Sequence, residues 1–187
     1  KMDTQANPKG VAWTRADLQN PHSRSDKAGR VRAMFAAIAP SYDLNNRLHS
    51  FGRDQAWRRR AVREAGLREG EVVVDVACGT GDLTEAFARA GAGQVIGIDF
   101  TREMLDVAER KRDRMPPGAR SRVQYRQGDA MALELEDASA DVVSIAFGIR
   151  NVQDPAAAVR EFYRILRPGG RVIVLEFSLP TSRPLRA

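Results

Sequence analysis

The sequence EVVVDVACGTGD (Glu71–Asp82) decides the fold of this chain. It begins with a short apolar run of β-branched residues and ends in a turn with two glycines, Gly79 and Gly81. Apolar residues at helical spacing follow, so the stretch predicts a buried strand, a tight turn and a helix. Glycine lets the backbone turn sharply and lets a ligand approach closely. A ligand site at this turn is one interpretation, and a plain strand-to-helix connection is the other.

The segments that follow repeat the same pattern. We predict further strands at 94–100, 122–127, 141–147 and 171–177, and helices at 82–90, 101–114 and 155–167. Apolar strands that alternate with helices indicate an α/β fold with a doubly wound, mostly parallel sheet. In such sheets, ligands bind beyond the carboxyl ends of the strands, near the point where the strand order reverses.

The N-terminal part of the chain has a different organisation. Residues 1–27 are polar and predict a mobile arm. Residues 28–66 predict a helical cap or lid, in which a first helix stops before Pro40, a loop contains Tyr42, and a basic helix follows. The α/β domain is then expected to occupy residues 67–187.

Length and composition exclude several classes of protein. The chain has 187 residues, 43% of them hydrophobic, which is enough for the core of one domain. Its single cysteine, Cys78, excludes an intramolecular disulfide and fits a reducing compartment. One cysteine and two histidines argue against a metal site. No segment approaches the roughly 18 consecutive apolar residues of a membrane span, so we expect a cytoplasmic protein.

The net charge of +6 permits an anionic partner. Arginines cluster around Trp57 in the second predicted helix, at Arg53, Arg58, Arg59, Arg60 and Arg63. A helix with an aromatic anchor and arginines can lie on anionic lipid, which would make the protein membrane-associated. A solvated helix face is an equally good interpretation.

Acidic residues mark the first three predicted strands. Asp75 lies in the first strand, Asp99 ends the second, and Asp129 and Ala130 follow the third. A carboxylate at the end of the second strand can accept both hydroxyls of a ribose, and a residue after the third can meet an adenine edge. A helix N-cap at Asp99 and a simple turn at Asp129 are the plainer interpretations. The glycine turn does not match a dinucleotide fingerprint, because Thr84 stands at the position of the third glycine.

Together, these acidic positions, the glycine turn and LRPGGRVIV (166–174) resemble the class I S-adenosylmethionine-dependent methyltransferases. The segments SYDLNNRLHSFGRDQAW (41–57), FGIRNVQD (147–154) and RPGGRVIVLEFS (167–178) are similar to the ubiquinone/menaquinone-biosynthesis C-methyltransferase family of the UbiE type. The resemblance covers residues 27–187. It implies S-adenosylmethionine as the cofactor, bound by Asp75, Gly79, Thr80, Gly81, Asp99, Asp129 and Ala130.

The resemblance also implies a reaction, the C-methylation of a polyprenylated quinol such as demethylmenaquinol or the ubiquinone precursor. Tyr42, Arg150 and Asn151 match family positions on the substrate side of the cofactor. Arg150 would stabilise the phenolate and polarise a water molecule, which Tyr42 and Asn151 would hold with the ring hydroxyl. Two plainer interpretations are an ion pair for Arg150 and simple packing of Tyr42 on the cofactor.

The sequence is compatible with several further functions. The pI of about 10.1 suggests an RNA methyltransferase, but only 6% of the residues are aromatic and FGIRN stands where an aromatic-proline motif would follow the fourth strand. We therefore expect no nucleic-acid partner. A methyltransferase for a different small molecule and a non-catalytic module that binds S-adenosylmethionine also fit the sequence.

The end of the chain carries a further expectation. Class I methyltransferases usually continue beyond the fifth strand with a helix and a β-hairpin, whereas here ten residues follow Phe177. The resemblance therefore predicts a truncated domain without this hairpin. Val172, Ile173, Val174 and Leu175 would then form an apolar sheet edge, through which we expect the chain to form a homo-oligomer.

Overall fold

The computed structural model describes residues 27–178. The predicted mobile arm lies outside the described residues, except for Lys27, and so does the end of the chain after residue 178. Lys27 does not belong to an arm, because it is the first residue of a helix and is buried.

Three helices occupy the segment predicted as a cap, and we call this segment the cap. They are α1 (Lys27–Ile38), α2 (Tyr42–Ser50) and α3 (Arg53–Ala65). The loop predicted around Tyr42 is wrong, because a short 3-10 turn at Ala39–Ser41 joins α1 directly to α2. Pro40 lies in the first positions of this turn, where its missing N–H has no intrahelical partner to lose. Proline thus ends α1 without ending helical structure.

The α/β domain contains one sheet of five parallel strands in the order β3-β2-β1-β4-β5. The strands are β1 (Val72–Val76), β2 (Gln94–Asp99), β3 (Val123–Gln127), β4 (Ala140–Ala146) and β5 (Leu166–Leu175). The helices of this domain are α4 (Asp82–Arg89), α5 (Arg102–Arg112), α6 (Pro117–Arg120) and α7 (Pro155–Ile165). The predicted doubly wound α/β fold is confirmed, with the strand order reversing between β1 and β4.

Two apolar clusters cover the two faces of the sheet. Successive side chains of a strand point to opposite faces, so Val73 and Val74 belong to different clusters. The first cluster packs against α3 and α4 through Ala65 and Phe87, and the second packs against α7 through Phe162. The central strands β1, β2 and β4 are therefore covered on both faces, and their carboxyl ends are left for a site.

The fifth strand is the edge of the sheet among the described residues, as predicted. It begins at Leu166, earlier than expected, and its pairing with β4 is irregular near the start of β4. Val172 and Val174 lie beside Val143 and Ile145 of β4, so they point to the α7 face. They are nevertheless 41% and 55% exposed, so this edge is apolar within residues 27–178.

Arg171 attaches this edge strand to the rest of the domain. Its guanidinium donates to both oxygens of Glu71, at 2.9 and 2.6 Å, and to the carbonyl oxygens of Ala65 and Gly66 at the end of α3. The hydrogen bond from Arg171 lowers the pKa of Glu71 to about 2. One arginine thus joins β5, the end of α3 and the start of β1 through a planar fork that suits a carboxylate.

We expect Arg171→Leu to destabilise the domain by about 2–3 kcal/mol, because it leaves the Glu71 carboxylate and two carbonyl oxygens without their donor. Urea unfolding followed by circular dichroism measures this change. The control is Arg60→Leu, since the Arg60–Glu64 pair is exposed and should contribute less than about 1 kcal/mol. Equal effects of the two substitutions would contradict the role of Arg171.

Candidate functional site

A cavity lies beyond the carboxyl ends of β1, β2 and β4, under the cap. The cap contributes Val31, Phe35 and Tyr42 to its wall. The α/β domain contributes the segments that follow the strands, namely Gly79, Asp99, Asp129, Ala130, Phe147 and Asn151. The cavity is therefore at the place where the reversal of strand order predicts a ligand.

Asp99 connects the first two strand ends at this cavity. Its Oδ2 accepts a hydrogen bond from the Gly79 amide at 2.8 Å, and its Oδ1 accepts one from the Thr101 amide at 2.8 Å. Burial raises the pKa of Asp99, although the two amides counteract the shift. The helix that follows has Thr101 as its N-cap residue, so Asp99 is not the N-cap of its plainer interpretation. Its carboxylate instead fixes the turn before the helix and lines the cavity.

The glycine turn has the geometry that its sequence predicts. Gly79 and Gly81 have φ values of +57° and +84°, which residues other than glycine rarely adopt. A Cβ atom at Gly81 would overlap the half-buried side chain of Tyr125, 2.8 Å from Cζ. Gly81 is therefore fixed by packing as well as by conformation.

Asp75, in β1, holds the residues that follow the glycine turn through hydrogen bonds. Its side chain is fully buried, with Oδ2 accepting from the Thr84 hydroxyl at 2.6 Å and Oδ1 accepting from the Ser144 hydroxyl at 2.7 Å. Burial raises its pKa to about 6, in spite of these two donors. These contacts attach the start of α4 to β4. The cofactor-binding role expected for Asp75 stays a prediction.

The Thr80 hydroxyl donates to Asp43 of α2 at 2.5 Å, and the cofactor-binding role expected for Thr80 stays a prediction. The Lys111 ammonium reaches Asp43 at 2.8 Å and also pairs with Asp82. Gln55 of α3 donates to Asp82 at 2.8 Å. This network attaches the cap to the glycine turn. No local pattern in the sequence signals it, because its partners lie 27 to 68 residues apart.

Asp129 and Ala130 lie on the cavity wall after β3. Asp129 Oδ1 accepts from the Met131 amide at 2.8 Å, so the predicted turn is present. The neighbouring Gly128 donates its amide to the Asp99 carbonyl oxygen at 3.0 Å, which holds this turn against the end of β2. The turn places both residues beside Asp99.

The three predicted catalytic residues do not all meet at the cavity. Tyr42 and Asn151 line it, and Arg150 does not. The Arg150 side chain is 52% exposed, its Nη1 lies 3.1 Å from Glu176 Oε1, and its guanidinium lies 5.5 Å from the centre of the Phe177 ring. The structure therefore contains the ion pair that is the plainer interpretation of Arg150.

Glu176 is a functional candidate that the sequence patterns did not identify. It follows β5, so it stands at the same edge of the sheet as the cavity. Its Oε1 faces Arg150, whereas Oε2 is buried without a hydrogen-bond partner among residues 27–178. The acidic residue directly after the fifth strand was the signal that could have identified it, as at Asp99.

An aromatic cluster borders the Arg150–Glu176 pair. Phe177 stacks on Phe147 with a centroid distance of 4.8 Å and meets Trp57 edge-on at 5.7 Å. Arg58 is buried and pairs with Asp54 at 3.0 Å. Trp57 is half-buried against Phe147 and Phe177, and Arg58 is buried, so these two side chains are not fully exposed on the helix. Membrane association of this helix stays a prediction.

Lys27 links α1 to the segment after β4. Its ammonium donates to the carbonyl oxygens of Arg150 and Val152, at 3.1 and 2.7 Å. Burial lowers the pKa of Lys27. Through this contact, the first residue of the cap fixes the turn that carries Arg150 and Asn151.

The raised pKa of Asp75 predicts a dependence of stability on pH. A carboxyl group with a raised pKa in the folded state binds its proton more tightly there, so ionising Asp75 between about pH 4 and pH 6 costs stability. Asp75→Asn removes this cost. The stability of the variant relative to the parent should rise by about 3 kcal/mol from pH 4 to pH 7. Urea unfolding at each pH measures the difference, and a difference independent of pH would contradict the assignment.

Comparisons with known proteins place the chain in a family. The sequence profile of the ubiE/COQ5 methyltransferase family matches residues 23–187. A demethylmenaquinone methyltransferase from Deinococcus radiodurans is 44% identical, over 85% of this chain and 65% of the relative. A ubiquinone/menaquinone biosynthesis C-methyltransferase UbiE from Idiomarina loihiensis is 45% identical, over 87% of this chain and 65% of the relative. The chain thus spans less than two thirds of the length of these curated relatives.

Solved structures have the same architecture. The YcgJ protein from Bacillus subtilis has a TM-score of 0.62 at 27% identity, over 70% of this chain and 54% of that one. A SAM-dependent methyltransferase from Aquifex aeolicus has a TM-score of 0.59 at 22% identity, over 67% of this chain and 66% of that one, and this likeness concerns the fold alone. The sequence match and the fold agree, and the chain belongs to the ubiE/COQ5 methyltransferase family.

Proposed function

We propose that this chain binds S-adenosylmethionine in the cavity and methylates a ring carbon of a polyprenylated quinol, either demethylmenaquinol or the ubiquinone precursor. The observation that carries the proposal is the position of Asp99, which joins the glycine turn to the end of β2 and lines the cavity. The names of the curated relatives support the choice of reaction.

The charges on the cavity wall fit this cofactor. Asp99 and Asp129 contribute carboxylates, and no lysine or arginine lines the cavity within residues 27–178. A pyrophosphate would need positive partners or free amides, whereas an adenosine attached to a positively charged sulfur suits a wall of this kind. Asp99 would hold the ribose hydroxyls, Asp129 and Ala130 would border the adenine, and the turn at Gly79 would allow close approach.

When bound, S-adenosylmethionine supplies a methyl group that is already activated on a positively charged sulfur. The protein has to place the quinol ring, since the ring carbon becomes a strong nucleophile once the neighbouring hydroxyl is ionised. It also has to control two protons, because the methylated carbon then loses its own hydrogen as a proton and the ring oxygen regains one. Tyr42 and Asn151 are placed to hold that hydroxyl, because both line the cavity.

Arg150 and Glu176 form an ion pair and do not line the cavity, so in this proposal their side chains turn toward the bound ring and divide the proton chemistry. A guanidinium keeps its proton up to a pKa above about 12, so Arg150 cannot be the base. It can stabilise the phenolate as the negative charge develops. Glu176 Oε2, which is buried and without a partner within residues 27–178, is the acceptor for the hydroxyl proton.

The substrate and the sheet edge suggest two further features. A polyprenyl tail dissolves in a bilayer, so we propose that the protein works at a membrane surface. No helix within residues 27–178 is long and apolar enough to cross a bilayer. The exposed Val172 and Val174 support our proposal of a homo-oligomer that pairs through the edge of β5.

A transfer assay with methyl-labelled S-adenosylmethionine tests the function. We expect label in demethylmenaquinol or in a 2-methoxy-6-polyprenyl-benzoquinol. Glu176→Gln should lower kcat about 100-fold, because a general base contributes roughly this factor, and should leave cofactor binding unchanged. Glu69→Gln is the matched control, since Glu69 is exposed at the opposite end of β1.

Two outcomes would contradict the proposal in different ways. Cofactor binding without transfer to either quinol would favour the non-catalytic module. Transfer by Glu176→Gln at the rate of the parent would reject the role of Glu176 and leave the reaction in place.

A further inference from the structure

We propose that the outer face of α2 docks this protein onto an anionic lipid bilayer. This face consists of Leu44, Leu48 and Phe51, which are spaced so that they lie on one side of the helix. Their exposed fractions are 61%, 63% and 93%. The proposal rests on the proposed function, because a bilayer is where a polyprenylated quinol is dissolved.

The orientation of α2 is fixed by its other side. Tyr42 lines the cavity, and Asp43 accepts hydrogen bonds from Thr80 and Lys111 of the α/β domain. The helix therefore cannot rotate to bury Leu44 and Leu48 without breaking these contacts. The exposure of the outer face follows from the same contacts that close the cavity.

Phe51 occupies a position where the fold alone favours another residue. It ends α2 in the left-handed conformation, with φ of 52° and ψ of 38°, and Gly52 continues with φ of 73°. Left-handed backbone is unfavourable for a side chain with a Cβ atom, and glycine or asparagine is the usual choice at this place. A phenylalanine that is 93% exposed gains no burial in return. Its ring is therefore available for an apolar partner.

The charge of the cap matches an anionic surface. Residues 27–65 contain nine basic and three acidic residues, so this segment carries a net charge of +6, equal to that of the whole chain. Arg47 adjoins the outer face on α2, and the exposed Arg53, Arg59 and Arg60 follow on α3. Exposed apolar side chains with neighbouring arginines are typical of helices that lie in the lipid headgroup region.

A second copy of the chain is a less favourable partner for this face than a bilayer. Apposing two caps would bring two segments of +6 together, and this repulsion opposes association. An anionic bilayer can bury the apolar side chains in its interface and attract the positive charges of the cap.

Vesicle sedimentation with the 187-residue chain tests the docking surface. We expect binding to vesicles of equimolar phosphatidylcholine and phosphatidylglycerol, weaker binding in high salt, and little binding to phosphatidylcholine alone. Phe51→Asn should lower the partition coefficient about tenfold or more, as expected for removing one inserted aromatic ring. Its Tm should not fall, because asparagine tolerates the left-handed conformation better.

The control variant is Tyr163→Asn, which removes an aromatic side chain of α7 that is 83% exposed and lies outside the cap. It should bind vesicles like the parent. Parent-like binding of Phe51→Asn, or no binding of the parent to anionic vesicles, would overturn the proposal. A smaller mass of Phe51→Asn in light scattering, with vesicle binding unchanged, would identify a second copy as the occupant.

This test is independent of the proposed reaction, because vesicle binding is measured without quinol or cofactor. A parent that methylates a short-chain quinol in solution but does not bind vesicles would reject the docking surface and keep the function. A parent that binds vesicles but not S-adenosylmethionine would reject the proposed function and keep the docking surface.

Discussion

The hydrogen bond from the Gly79 amide to the Asp99 carboxylate is the contact on which the candidate site depends. It joins the turn after β1 to the end of β2, so that two neighbouring strands present one surface to a ligand. The carboxylate is buried enough for its pKa to be raised, and it needs the amides of Gly79 and Thr101 as donors. Asp75 stabilises the same region, because its carboxylate accepts hydrogen bonds from Thr84, after the glycine turn, and from Ser144 of β4.

The cap completes this site through polar contacts at separate points. Asp43 and Lys111 join α2 to the glycine turn and to α5, and Lys27 joins α1 to the turn after β4. Charged side chains in these positions are costly to bury without partners, so each contact specifies one placement of the cap. The same placement puts Tyr42 on the cavity and leaves Leu44, Leu48 and Phe51 outside. One placement of the cap therefore both covers the cavity and exposes the outer face of α2.

Much of the fold was predictable because its signals are local. Apolar β-branched runs, helical periodicity and the glycine turn predict the elements, and the acidic strand ends predict where Asp99 and Asp129 lie. The sequence gives no signal for contacts between distant residues. The Thr80 hydroxyl is taken by Asp43, Asp75 is enclosed by Thr84 and Ser144, and Arg150 is paired with Glu176. At Tyr42, the proline signal was interpreted as a loop, although proline at the start of a 3-10 turn is compatible with continued helix.

Calorimetric titration of the 187-residue chain with S-adenosylmethionine tests the central claim most directly, when it is compared with the Asp99→Ala variant. We expect the parent to bind one equivalent and the variant to bind at least about tenfold more weakly, because it loses the acceptor proposed for the ribose hydroxyls and the partner of the Gly79 amide. Circular dichroism of the variant should show a folded domain. No binding by the parent, or equal binding by both proteins, would contradict the account.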